Sequence, residues 1–424
     1  MVDLSPSEPS WVYKGWPHRS AETSLDEVVA EGLNLFADDF LFPVATISAE
    51  ALRHNISTMA AFCDDNQVSL APHGKTTMSP EIIDRQIKSG SWAITAATAS
   101  QARTFRQFGV GRILIAHEVV DPAAVRWITN EIDDHPDVQI MCLIDSIAAV
   151  DAMDRALANV PTQRPIDVLV ELGHANGRTG CRSVDDAVEV AEHAAASPHL
   201  RVIGVEGYEG MISAAGDDYA AVDEFLSRIL DSAERLDALG LLDQLDEIVL
   251  TAGGSTFPDR VALVLGSADG FSKPIRVVIR SGCYVTHDSG MYEDGGPFGR
   301  RAPMLDTPPL QAALTVWAYV VSRPEPGLAI LGFGKRDASF DVGYPRPLFV
   351  RRDGRVESLD PDTVEVFSLN DQHAYVRVEH DADLVVGDIV GCGISHPCTT
   401  FDKWRAIPLI NADYDVAGVI RTFF

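Results

Sequence analysis

Between residues 68 and 290 two patterns alternate along the chain. Short apolar runs rich in β-branched residues occupy 69–75, 93–98, 112–118, 140–145, 167–173, 201–210, 247–256 and 276–284 and read as strands. Apolar positions at helical spacing predict helices over 80–89, 100–108, 122–131, 184–196 and 217–239. Runs such as LVELG at 169–173 and IVLTAGG at 248–254 are apolar throughout, as strands covered on both faces are. Eight strand–helix units over some 220 residues fit a (β/α)8 TIM-like barrel, whose usual length is about 250 residues. An open doubly wound sheet would carry the same strand count.

A further strand at 42–48 and a helix over 49–63 precede these units. After residue 290 short strands follow one another at 310–322, 327–332, 363–369, 373–379, 388–393 and 417–423, between turns of Gly, Pro and Asp. That change predicts a C-terminal mostly-β domain. The expected division is a barrel over 49–290 and a β-rich, metal-carrying unit made of 1–48 with 291–424. Residues 1–40, rich in Ser, Pro and Glu at first and weakly helical afterwards, are expected to pack on the second unit.

The composition is globular: 424 residues, 46% hydrophobic, with 32 Gly and 24 Pro. With 34 basic and 62 acidic side chains the net charge is −28, which disfavours nucleic acid and anionic membrane surfaces as partners. No apolar run approaches the ~20 residues of a membrane span. The N-terminus shows neither a basic start nor an apolar stretch, so a cytoplasmic location is expected. The scattered cysteines (Cys63, Cys142, Cys181, Cys283, Cys392, Cys398) suit reduced thiols better than a disulfide framework.

Lysine is scarce, six against 28 arginines, so amine chemistry has few candidates. Lys75 follows the first barrel strand in APHGKTT, at the end where barrels carry reactive groups. A desolvated lysine there can form a Schiff base with a carbonyl cofactor; a surface lysine after a strand is the plain alternative. The seventh strand ends in Gly253, Gly254, Ser255 and Thr256, the eighth in Arg280, Ser281, Gly282, Cys283 and Tyr284. Barrel phosphate sites use these two loops, although either is also an ordinary glycine-rich turn. Arg178 after the fifth strand can meet a carboxylate or a cofactor ring, and Tyr208 brings a phenol near the mouth after the sixth. Near the C-terminus His396 and Cys398 stand two residues apart, on the same side of an extended segment. Both donors suit Zn2+, and two protein ligands leave positions open for water or substrate. A packed His and Cys is the plain alternative. His373 lies just upstream.

Together these pieces resemble the metal-dependent branch of the fold-type III pyridoxal-phosphate enzymes: D-serine dehydratase, D-threo-3-hydroxyaspartate dehydratase and D-threonine aldolase. The resemblance runs from Phe42 to Phe424. The family's R-P-H-A-K-T-H reads A-P-H-G-K-T-T here, so His73 and Lys75 match while Ala71 and Thr77 depart. The roles of the family's arginine and second histidine therefore do not carry over. The R-T-G element stands at Arg178, Thr179 and Gly180, the tyrosine at Tyr208, and the phosphate-cradling glycines at Gly253 and Gly254. A P-G-S-Y-like element appears as Ser281-Gly282-Cys283-Tyr284, and Asp371-Gln372-His373 replaces E-E-H. The metal pair is H-x-C in the dehydratases and H-x-D in the aldolases; here it is His396 and Cys398. The run GISHPCTTFDKW at 393–404 is also similar to bacterial proteins labelled amino-acid or D-serine deaminase.

The resemblance implies an alanine racemase-type barrel, pyridoxal 5'-phosphate on Lys75, and a divalent metal, zinc by preference. His73 and Lys75 are the implied catalytic pair, and Arg178, Tyr208, Gly253, Gly254, Ser255, Thr256, Gly282, Cys283 and Tyr284 the cofactor contacts. The implied reaction removes water from a 3-hydroxy D-amino acid, with Lys75 taking the α-proton, to give a 2-oxo acid and ammonia. Retro-aldol cleavage and racemisation are alternatives on the same parts, and a homodimer is the implied assembly.

Overall fold

A computed structural model of the protein describes residues 13–17, 29–37, 40–212, 219–301, 307–379 and 384–424. The sequence itself marks where most helices begin. Ser48, Ser79, Thr98, Asp121, Ser146 and Ser183 each accept a backbone N–H of the following turn, and Pro80, Pro122 and Pro258 open their helices. Each such cap contributes about 1 kcal/mol.

After strand β1 (Val44–Ser48) and helix α1 (Ala49–Asp65), eight parallel strands alternate with helices. They are β2 (Ser69–Leu70), β3 (Ile94–Ala96), β4 (Arg112–Glu118), β5 (Gln139–Ile144), β6 (Ile166–Leu172), β7 (Leu200–Gly207), β8 (Ile248–Ala252) and β9 (Ile275–Ile279). The helices between them are α2 (Pro80–Lys88), α3 (Ala99–Gln107), α4 (Pro122–Asp134), α5 (Ile147–Leu157), α6 (Val184–Ala195), α7 (Tyr219–Ala238) and α8 (Pro258–Leu265). The strands run in the order β2-β9-β8-β7-β6-β5-β4-β3, and the two ends meet where His73 bridges Thr95. There Thr95 donates its N–H to Pro72 O (2.9 Å) and its hydroxyl to Ala71 O (2.7 Å). The sheet is thus a closed α/β barrel with helices outside, not an open sheet.

Strands expected at 69–75 and 276–284 are shorter in the structure. Pro72 has no N–H to offer the ladder, and the chain leaves the sheet into 3-10 turns at Gly74–Thr76 and Cys283–Val285. The strand expected at 247–256 stops at Ala252 because Gly253 turns away with φ +119°. Helices α5 and α8 add to those predicted. Of the helix expected at 217–239, residues 217 and 218 lie outside the described residues, as does most of the weak helix expected within 1–40.

The second part is antiparallel β for the most part: β10 (Leu314–Glu325), β11 (Leu328–Leu331), β12 (Arg346–Arg352), β13 (Arg355–Ser358), β14 (Val364–Leu369), β15 (Ala374–Val378), β16 (Ile389–Gly393), β17 (Ala406–Ile410) and β18 (Val416–Arg421). One path runs β13-β12-β16-β10-β1-β17-β18, and the far end of β10 continues through β11 and β15 to β14. Strand β1 is antiparallel to β10 and parallel to β17, so a strand from before the barrel is built into the sheet that follows it. Trp16, Leu33, Leu35 and Phe40 pack with Val44, Trp317, Ile389 and Val419 on that sheet. Strands β12, β13 and β17 were not among those expected: RPLFVRR and AIPLI carry a proline and RVES is mostly polar.

The sheet is locked to the barrel by a buried ion pair of Glu81 in α2 with Arg421 in β18. Asn55 in α1 adds two bonds, donating to Gln311 O and accepting from Gln311 N–H, each 2.8 Å. Among the described residues no helix is long and apolar enough to cross a membrane.

Candidate active site

In a parallel barrel all strands deliver their C-terminal ends to one face. Here those ends surround a cavity of about 490 Å³. Lys75, on the 3-10 turn after β2, lines it half-buried, and its ammonium has no hydrogen bond or ion pair among the described residues. His73 lies at the barrel seam beside it, with Nδ1 buried and unpartnered. Burial first, then the charges of Lys75 and Arg280, hold its imidazole well below the usual histidine range, so it is neutral.

The loop after β8 behaves differently from the sequence expectation. The N–H groups of Gly254 (3.1 Å) and Gly253 face the Glu209 carboxylate rather than the cavity. Burial raises Glu209, and those amides draw it back. Gly253 and Gly254 still line the cavity, together with Ser255, Gly282 and Cys283, whose N–H groups have no acceptor among the described residues. Gly282 is required by close approach, since a Cβ there would sit 2.7 Å from His73 O. An unpaired amine, three free amides and the Ser255 hydroxyl on one cavity fit the aldehyde and phosphate of pyridoxal phosphate.

Arg178 stacks its guanidinium 4.5 Å from the Tyr208 ring centroid, and both line the cavity. Thr256 is half-buried next to Ser255 but outside the lining. Tyr284 also lies away from it, buried, its hydroxyl accepting from Gln86 Nε2 at 3.0 Å. His373 sits in the exposed turn before β15 and does not reach the cavity.

His396 and Cys398 reach the same cavity from the second sheet, but not on an extended segment. Strand β16 ends at Gly393, Pro397 holds φ −56° and ψ −45°, and Cys398 opens the short helix α9 (Cys398–Phe401). The proline ring fixes the turn, and the turn, not strand alternation, brings the two side chains together. Asp341 Oδ2 holds His396 Nδ1 at 2.7 Å while its other oxygen accepts from the Thr399 hydroxyl at 2.9 Å. That leaves Nε2 as the donor the imidazole presents. Cys398 Sγ lies 3.4 Å from the Thr76 hydroxyl, so thiol and imidazole stand beside the residue next to Lys75.

Several residues of the cavity were not among those expected. Arg280 is buried, donates to Thr251 Oγ1 (2.8 Å) and Gly207 O (3.0 Å), and pairs with buried Glu206. Glu118, Asp145 and Glu171 bring three carboxylate oxygens within 4.8 Å of one another. Their sequence signal was present: Glu171 and Glu206 are charges at the far ends of strands whose middles, VLV and VIGV, are apolar, and burial there demands a partner.

Burial and the neighbouring Glu118 carboxyl push Glu171 up to about 8. The unfolded carboxyl loses its proton above about pH 4.3. Between that value and 8 the folded chain binds the extra proton, so this group's contribution to stability falls as pH rises. Glu171→Gln is expected to flatten that fall, measured as melting temperature against pH from 5 to 8.5. An unchanged slope would show that the two carboxyls do not share a proton.

Residues 47–253 match the alanine racemase N-terminal domain and residues 313–410 the putative serine dehydratase domain. Over 376 residues the chain is 26% identical to a D-threonine aldolase of an Arthrobacter species, covering 87% of this chain and 89% of that one. It is 25% identical over 403 residues to the D-threo-3-hydroxyaspartate dehydratase of Delftia sp. HT23, covering 88% and 95%. The D-threonine aldolase structure from Filomicrobium marinum superposes with a TM-score of 0.72 at 22% identity, over 92% of this chain and 95% of that one. A variant of a D-threo-3-hydroxyaspartate dehydratase in its metal-free form superposes with a TM-score of 0.69 at 21% identity, over 90% of this chain and 97% of that one. The chain belongs to the family that joins an alanine racemase N-terminal domain to a serine dehydratase domain.

Proposed function

We propose that the protein is a pyridoxal phosphate- and metal-dependent lyase that eliminates water from a 3-hydroxy D-amino acid, D-serine-like, giving a 2-oxo acid and ammonia. The observation that carries this reading is the placement of the unpaired Lys75 amine in one cavity with the His396 and Cys398 donors. The relatives named above act as aldolase or dehydratase on such amino acids, and a D-threo-3-hydroxyaspartate dehydratase variant is described in a metal-free form, which supports a metal here.

Lys75 would hold the cofactor, with the amides of Ser255, Gly282 and Cys283 toward its phosphate and Arg178 and Tyr208 beside its ring. Bound there, pyridoxal phosphate supplies an electron sink for the pair left at Cα, and a metal supplies Lewis acidity at the β-oxygen. With the cofactor bound, the Lys75 amine would serve as the base that takes the α-proton. Neutral His73 keeps a second positive charge away from that amine. Asp341 orients the His396 ring. A homodimer belongs to the same reading.

Retro-aldol cleavage is the second reading, favoured by the aldolase names among the relatives. Cys398 argues against it: a soft thiolate selects zinc, whereas the aldolases' carboxylate suits harder cations. Incubating the purified enzyme with D-threonine separates the two. 2-Oxobutyrate and ammonia are expected; glycine and acetaldehyde would establish the aldolase, and no reaction with D-serine, D-threonine or 3-hydroxy-D-aspartate would end both.

A further inference from the structure

We propose that Cys283 is a third protein ligand of the metal at His396 and Cys398, completing a set of two thiolates and one imidazole with one position left for substrate; this rests on the metal reading above. The Cys283 and Cys398 sulfurs lie 3.5 Å apart, although 115 residues separate them in sequence. One comes from the turn after the last barrel strand, the other from the helix after β16. Two thiolates on one tetrahedral zinc, each at about 2.3 Å, stand about 3.8 Å from each other. The two sulfurs therefore already hold nearly the separation that a shared zinc imposes, with no bond between them.

The surroundings agree. Thr76 Oγ1 is 4.0 Å from Cys283 Sγ and 3.4 Å from Cys398 Sγ, so both thiols face the residue beside Lys75. Both cysteines line the reaction cavity, and Cys283 is buried, as a ligand screened from other thiols must be. His396 completes the set through Nε2. The three donors do not all lie within 4.8 Å of one another, so sharing one ion requires the imidazole to turn toward Cys283.

The chemistry that follows differs from that of a single-thiolate site. Two thiols lose their protons to solvent, and two thiolates neutralise the charge of Zn2+. Soft ligation selects zinc over magnesium or manganese. The site is therefore expected to hold zinc tightly.

The test uses the full chain with pyridoxal phosphate bound, stripped of metal and reloaded with Co2+ or Zn2+. The near-ultraviolet sulfur-to-cobalt absorbance counts thiolates per metal. Cys283→Ser is expected to halve that absorbance per bound cobalt and to weaken zinc retention against a competing chelator about 10–100-fold. Retention of the yellow cofactor band would show that the variant is folded. X-ray absorption at the zinc edge of the unmutated protein gives the same count without any variant, with two sulfurs per zinc expected. One sulfur per zinc, or unchanged cobalt absorbance in Cys283→Ser, overturns the third ligand and leaves His396 and Cys398 as the metal pair. Failure of the unmutated protein to hold either metal overturns both this assignment and the metal reading.

Discussion

Replacing Lys75 with alanine is expected to abolish turnover, by at least the roughly 10²–10⁴-fold that a positioned proton-transfer group contributes. The same variant should lose any yellow absorbance that borohydride bleaches, because none of the other lysines lines the cavity. The fold should be untouched. The ammonium makes no hydrogen bond or ion pair among the described residues, and the barrel seam is held by His73, Pro72 and Ala71 rather than by this side chain. A Lys75→Ala protein that keeps both its colour and its activity would remove the basis for the functional reading. Lys75→Arg is a stricter form of the test: it keeps the charge but cannot form the link.

Replacing Arg280 with alanine is expected to cost stability rather than chemistry alone, by about 3–5 kcal/mol in chemical denaturation. The guanidinium and the Glu206 carboxyl are 3% and 2% exposed, so removing one leaves the other buried and unpaired. Burial already raises Glu206 and Arg280 draws it down, so without the arginine the carboxyl would take up a proton. Thr251 Oγ1 and Gly207 O would lose their donor as well. Adding Glu206→Gln should recover part of the loss, since a neutral amide tolerates the site better than an orphaned carboxylate. Equal stability of Arg280→Ala and the unmutated protein would mean that water reaches the pair.

The barrel was legible because its strands are buried on both faces and its helices are amphipathic and capped. LVELG and IVLTAGG announce themselves by composition, and serine or threonine stands before α1, α2, α3 and α6. Closure was not legible, since it rests on one bridge between His73 and Thr95 rather than on a periodic signal. In the second sheet the edge hairpin β12–β13 escaped notice because RPLFVRR and RVES show neither alternation nor continuous apolarity, and β17 because a proline interrupts the apolar run AIPLI.

Lys75, Arg178, Tyr208, His396 and Cys398 were readable as reactive side chains at strand ends or in a metal-like spacing, and all five line one cavity. Which amides stay free was not readable. Glu209 takes up the Gly253 and Gly254 donors only because the folded loop brings its carboxylate there. Nor was the approach of Cys283 to Cys398, which depends on how two separate sheets meet.

Strand β1 has a consequence for biosynthesis. Its two neighbours, β10 and β17, begin roughly 270 and 360 residues further along the chain. While a ribosome makes the protein, Val44–Ser48 emerges early and waits, its backbone groups unsatisfied, until residues near 410 have followed. Such a pending apolar edge invites pairing with another nascent chain. Slower translation of the barrel segment should therefore favour insoluble product, whereas supplying chaperones that shield extended apolar segments should favour soluble enzyme.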